Sequence, residues 1–163
     1  MILQTDYRLR TEIQHFGCYL CSLVWHVVMQ TRKQIDVEWI NQLYDDAVAR
    51  ELMNDKCFID NPGGVLVLAG MPATYTNKHE PTNRLCAAGE IEVLCWERPR
   101  YGPDGKQTIG LDGKPSVWRH FTAGDGQGHV TYDPMGRART VVEGRMVSKR
   151  VFKLGMAPAV GEA

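Results

Sequence analysis

The run CYLCSLVWHVVMQ, Cys18 to Gln30, decides how the rest of this chain is read. Apolar side chains cover most of a helical circumference, and Ser22, His26 and Gln30 leave only a thin polar stripe at four-residue spacing. A helix of that pattern is buried on nearly all sides and belongs at the centre of a domain. Gly17 stands just before it, so Cys18 falls where the helix begins. Its sulfur is expected near unpaired backbone N–H groups and the positive end of the helix dipole, a position that favours the thiolate. Gly17 also removes a side chain that would crowd the sulfur.

Outward from this helix, a second one is expected to start at the N-cap Asp36 and run to about Leu52. It carries Val37, Ile40, Leu43, Tyr44, Ala47 and Val48 on one face. After Asn61-Pro62-Gly63-Gly64 the pattern changes. Val65 to Ala69, Glu90 to Arg98, Val117 to Thr122, His129 to Asp133 and Gly144 to Leu154 read as strands. Helices followed by strands predict an α+β fold, with N-terminal helices packed on a C-terminal antiparallel sheet. Residues 1–163 are expected to form a single domain with a loose tail from Gly155 to Ala163. No internal repeat stands out. Pro99 to Ser116 carries two Asp-Gly turns and reads as an exposed excursion that borders a site or serves as a docking arm.

Composition narrows the functional classes. The chain has 163 residues, 44% of them hydrophobic, with 19 basic and 19 acidic side chains. That balance provides no global field to recruit nucleic acid or an anionic membrane. The longest apolar run is too short to span a bilayer, and MILQTDYRLRTEIQHFG lacks the apolar centre of a signal peptide. The expectation is a soluble protein of the cytoplasm. The odd set Cys18, Cys21, Cys57, Cys86 and Cys95 suits free thiols in a reducing compartment.

The stretch VWRHFTAGDGQGHVTYDPMG, Val117 to Gly136, reads as a hairpin turning at Asp125-Gly126-Gln127-Gly128. With Gly126 and Gln127 as the turn, His120 lies opposite Asp133. A loop one residue longer instead sets His120 against Tyr132. In the first register Trp118, His120, Thr122, Thr131 and Asp133 share the face turned toward the Cys18 helix, and Phe121 and Tyr132 point away. A carboxylate opposite an imidazole fixes its tautomer and stabilises its charged form. The same pair also fits an ordinary polar cross-strand contact. Pro134 cannot donate a ladder hydrogen bond, so strand pairing should stop at Asp133.

Other pairings of chemistry are weaker. Cys18 and Cys21 form a CxxC, yet no βαβ context suggests a redox motif, and Cys57, Cys86 and Cys95 supply no second knuckle for zinc. No metal or other cofactor is expected. His15 lacks an orienting acid, and His26 sits two turns down the buried helix.

A cysteine heading a central helix, then a distant histidine in a strand, then an acid before proline is an order that resembles the papain-like cysteine peptidases. Gly17-Cys18, His120-Phe121 and Asp133-Pro134 look most like the branch of double-glycine leader peptidases of bacteriocin exporters, and GCYLCSLVW resembles small proteins of phages and spirochaete plasmids. The resemblance implies a papain-like fold and a Cys18–His120–Asp133 triad cleaving a peptide, isopeptide or peptidoglycan amide bond. Trp118 would wall the cleft. Gln14 is the nearest counterpart of the family's oxyanion-hole glutamine, although it lies closer to the cysteine than in those enzymes, and the usual Cys-Gly-Pro is replaced by Cys18-Tyr19-Leu20. The weak match at the oxyanion hole and the exposed Pro99 to Ser116 excursion fit a second function class, a virion component or protein-interaction module that keeps the framework without the chemistry.

Overall fold

The central helix forms where the apolar run predicts it, as α2 over Cys18–Thr31, in a computed structural model that describes residues 1–155. A short α1, Thr11–Phe16, leads into it and breaks at Gly17. A Cβ at Gly17 would come within 2.6 Å of Ile13 Cγ2, so the two helices meet here at a residue without a side chain. α3, Val37–Ala49, starts on Asp36, whose Oδ1 accepts the Trp39 N–H at 2.8 Å. Its buried face carries Val37, Ile40, Leu43, Tyr44 and Ala47.

Val65 to Ala69 is helical rather than extended, which corrects the strand expected there. α4 spans Pro62–Leu68 because Asn61 caps it, accepting Gly64 N–H at 2.8 Å, and Pro62 sits in its first turn with φ already set for a helix. A short apolar run reads equally as strand or buried helix, and these flanking residues choose the helix.

Five strands build the sheet: β1 (Ala73–Glu80), β2 (Glu90–Pro99), β3 (Val117–Gly124), β4 (Val130–Tyr132) and β5 (Arg145–Leu154). Their order is β1-β5-β2-β3-β4, every pair antiparallel. A five-residue helix α5, Arg139–Glu143, lies between β4 and β5. The architecture is α+β with an antiparallel sheet. β1 has the polar sequence ATYTNKHE and, among the described residues, pairs with β5 alone, as an edge strand. The end of the anticipated tail, residues 156–163, lies outside the described residues.

α2 packs against one face of the sheet. Tyr19 stacks on Phe121 with ring centroids 4.5 Å apart, and Trp25 on Tyr132 at 5.0 Å. The polar stripe of α2 meets the sheet backbone. Ser22 Oγ shares its proton between Cys18 O (2.8 Å) and Phe121 O (3.3 Å), and His26 Nε2 donates to Glu92 O at 2.7 Å. Burial drives the His26 pKa down to about 4, so the ring is neutral when it makes this bond.

On the other face Glu92 and Lys149, both fully buried, form an ion pair of 2.8 Å. Glu92 Oε1 also accepts the N–H groups of Gly126 (3.0 Å) and Gly128 (2.8 Å), while Lys149 Nζ donates to Arg84 O at 2.7 Å. These bonds overturn the two-residue turn. The ladder pairs Ala123 with Tyr132 and Gly124 with Val130, so Asp125–His129 forms a longer loop wrapped on the Glu92 carboxylate. Gly126 and Gly128 both take positive φ, 89° and 91°, to aim their amides at it. His120 therefore faces Asp133 in neither predicted ladder register. Phe121 and Tyr132, expected to point away from α2, are the residues that stack on it.

The excursion between β2 and β3 is an internal repeat, which corrects the expectation that the chain has none. YGPDGKQT (Tyr101 to Thr108) and IGLDGKPS (Ile109 to Ser116) fold identically. Gly102 N–H donates to Lys106 O (2.9 Å) as Gly110 does to Lys114 O (2.8 Å), and Asp104 and Asp112 accept from Lys106 and Lys114 N–H. The corner residues close a triangle: Arg100 N–H to Ser116 O, Ser116 N–H to Thr108 O, and Thr108 N–H to Arg100 O. Two small hairpins and the β2–β3 ladder radiate from it. Only x-G-x-D-G-K-x-(Thr/Ser) is shared, which is why eight-residue units are easily passed over.

Removing one partner of a buried ion pair leaves the other charge uncompensated. Lys149→Met is expected to lower unfolding free energy by about 3–5 kcal/mol in urea titrations; a loss below about 1 kcal/mol would mean that the pair does not organise the sheet.

Candidate active site

Cys18 is the first residue of α2 and is partly accessible. The first α2 amide with a helical acceptor is that of Cys21, on Gly17 O at 2.8 Å. The Cys18, Tyr19 and Leu20 amides thus precede the helical ladder, and no side chain caps them. The Ser22 bridge to Phe121 O sets this turn against the β3 backbone next to His120.

His120 is buried, and its Nε2 bonds Asp133 Oδ1 at 2.7 Å. With Nε2–H given to the carboxylate, Nδ1 is left to exchange a proton with the thiol. The Cys18 thiol lies close enough to act on the ring. Burial alone would push His120 below the ordinary value of 6.5. The Asp133 bond and the neighbouring thiol outweigh that and hold the ring at about 9.

Asp133 is itself held from three directions. Oδ1 also accepts Met135 N–H (3.0 Å), and Oδ2 accepts Ala138 N–H (2.7 Å). Burial would raise its pKa, but these bonds and the one from His120 bring it below the usual 3.8. β4 ends at Tyr132, and Asp133 opens the turn that follows, where Gly136 N–H donates to Asp133 O at 2.8 Å. The structure therefore brings Cys18, His120 and Asp133 together, with Asp133 reaching the ring from beyond the strand end.

Gln14 is placed elsewhere. Its amide donates to Leu9 O (2.7 Å) and Tyr7 O (3.5 Å), tying down the chain before α1, which corrects its assignment to an oxyanion hole. The glutamine that joins the two halves of the site is Gln4. Its N–H donates to Pro134 O (2.8 Å), its side-chain amide donates to Gln14 O (3.0 Å), and its buried Oε1 is unpaired. Nothing in the spacing around Cys18 points to a residue so far upstream. Trp118 lies two residues before His120 on the exposed part of β3, with the Arg100 guanidinium 4.5 Å over its ring.

The profile of a family described as a protein of unknown function, DUF261, matches residues 1–154. The chain belongs to the DUF261 family. No curated protein and no solved structure matches it. The DUF261 match covers both Cys18 and the His120–Asp133 pair. Among the described residues of this DUF261 chain no cluster of His, Cys, Asp and Glu converges as a metal site, and no helix is long and apolar enough to cross a membrane.

The other thiols differ from Cys18 in setting. Cys21, Cys57 and Cys95 are buried, and burial raises the pKa of all four, to about 11 at Cys86 and about 12 at Cys57. Iodoacetamide at neutral pH is expected to modify Cys18 about tenfold or more faster than any other cysteine, and more slowly after His120→Ala. Peptide mapping showing equal labelling of all five would remove the case for an activated thiol.

The pKa shifts also set a pH dependence. Below about pH 6.5 His120 is charged in both folded and unfolded chains, and its pairing stabilises fully; the contribution is lost as pH rises through about 9. The lowered Asp133 contributes above 3.8 and loses its contribution as pH falls through its folded value. The difference in unfolding free energy between wild type and His120→Gln is therefore expected to peak between about pH 4 and 6.5 and decline toward pH 9. A flat difference across that range in urea titrations would contradict a charged pair.

Proposed function

We propose that the chain is a papain-like cysteine hydrolase that cleaves a peptide, isopeptide or peptidoglycan amide bond. The observation that carries this reading is the convergence of Cys18 at a helix start with the His120–Asp133 pair. In the resting site the proton of Cys18 resides on His120 Nδ1, which matches the raised pKa of the ring, and the thiolate attacks the amide carbonyl carbon. The imidazolium then returns the proton to the leaving amine as the C–N bond breaks, forming a thioester. His120 next takes a proton from water, hydroxide displaces the thiolate, and the acid product leaves with the enzyme restored. Asp133 keeps the ring in the tautomer this sequence needs. The Cys18 N–H, ahead of the helical ladder, donates to the developing oxyanion.

A second reading has an observation of its own. Tyr101, Ile109 and Leu111 are exposed on the two small hairpins, which suits an arm that docks on another protein, as in a virion component or interaction module. On that reading the chain need not turn over any substrate.

Incubation with purified peptidoglycan and with a peptide library, read by mass spectrometry, separates the two. Cleavage is expected in wild type and to fall at least about a thousandfold in Cys18→Ala. Products that persist undiminished in Cys18→Ala, or none from wild type in either substrate set, would sink the hydrolase reading.

A further inference from the structure

A cavity of about 310 Å³ opens on the sheet face that α2 covers, past the start of that helix. His79, Glu97, Arg119, Ser148 and Arg150 line it, with Cys95 at its floor. Strand pairing places them side by side: Glu97 opposite Arg119, and Cys95 opposite Ser148. Phe121 separates this space from the nucleophile, since its ring meets Tyr19 and also the Arg150 guanidinium, 5.4 Å from the centroid.

Arg150 is the unusual residue. It is only 5% exposed, yet among the described residues its guanidinium has no carboxylate in ion-pair range. Nη1 donates to Ser148 Oγ at 2.7 Å, and the rest of its support is the Phe121 ring. Arginine does not escape burial by losing its proton, so a buried guanidinium without an anion is costly. The acids lining the cavity are already engaged. Glu97 accepts from Arg119 Nε at 3.0 Å, and Glu80 pairs with Arg84 at 3.5 Å. Arg150 is thus a cation in surplus, inside a space large enough for a small ligand.

We infer that this cavity binds a small ligand through an oxyanion, a carboxylate or phosphate group seated on the Arg150 fork with the Ser148 hydroxyl beside it. The planar guanidinium matches such oxygens in a way an ammonium does not. His79 reports on the same space. Its pKa is lowered first by burial and then by Arg150, with Lys78 and Arg119 adding to the effect, so an anion bound at Arg150 would reverse part of that shift. This site stands apart from hydrolysis and is tested without it.

The test is an NMR titration of the His79 ring protons in the full chain, with inorganic phosphate in one arm and succinate in the other, at constant ionic strength set with sodium chloride. A saturable shift in either arm is expected, and the arm that saturates at lower concentration identifies the group. Arg150→Lys keeps the charge and loses the fork, and is expected to weaken binding at least tenfold. Arg119→Gln alters an exposed side chain and releases Glu97 into the cavity; it is expected to weaken binding at least fivefold and decides the matter if Arg150→Lys does not fold. A linear drift in both arms, equal to that given by added chloride, overturns the proposal. So does wild-type affinity in the variant that decides.

Discussion

Glu92 is the joint on which the molecule turns. Its backbone carbonyl receives His26 from the central helix, and its carboxylate receives Lys149 from the neighbouring strand and two amides from the β3–β4 loop. A buried carboxylate is tolerable only when its oxygens are filled, and here two separate segments, β5 and the β3–β4 loop, must arrive to fill them. Sheet and loop are thereby placed by one requirement, and the central helix is joined to the same residue through its carbonyl. A hydrophobic side chain in its place would pack the sheet but would not specify the path of the loop.

The candidate site follows from that path. Because the loop is drawn inward to Glu92, β4 is short and the chain leaves the ladder at Tyr132. Asp133 then stands in a turn whose own amides, from Met135 and Ala138, hold the carboxylate while it receives His120. An acid fixed by the backbone in this way keeps the imidazole oriented with little freedom to spare. The Cys18 thiol arrives independently, on a helix docked to the β3 backbone through Ser22. Both halves are thus rigid for different reasons, and the accessible part of the arrangement is the thiol.

Legibility in the sequence divides along the same line. The central helix, its Cys18 start and α3 are readable because apolar spacing and caps are local signals. So is the closeness of His120 and Asp133, since a glycine-rich turn joins their segments. The register is not, because the loop is shaped by a carboxylate 34 residues away. α4 is ambiguous until Asn61 and Pro62 are given more weight than the apolar run they introduce. β1 is hidden by its edge position, and Gln4 by its distance along the chain from the cysteine it accompanies.

The triangle at Arg100, Thr108 and Ser116 has a bearing on how such chains diversify. An ordinary hydrogen-bonded cross-strand pair is a ring of two residues, each giving its N–H to the other's carbonyl. The triangle is the same ring with a third member. Removing Ile109 to Ser116 brings Thr108 into Ser116's place and returns the ring to two, leaving β2 and β3 in their present alignment. Loss of a whole eight-residue unit therefore leaves the alignment of β2 and β3 unchanged. The corner is built so that a whole petal can be added or removed while the scaffold beneath stays constant.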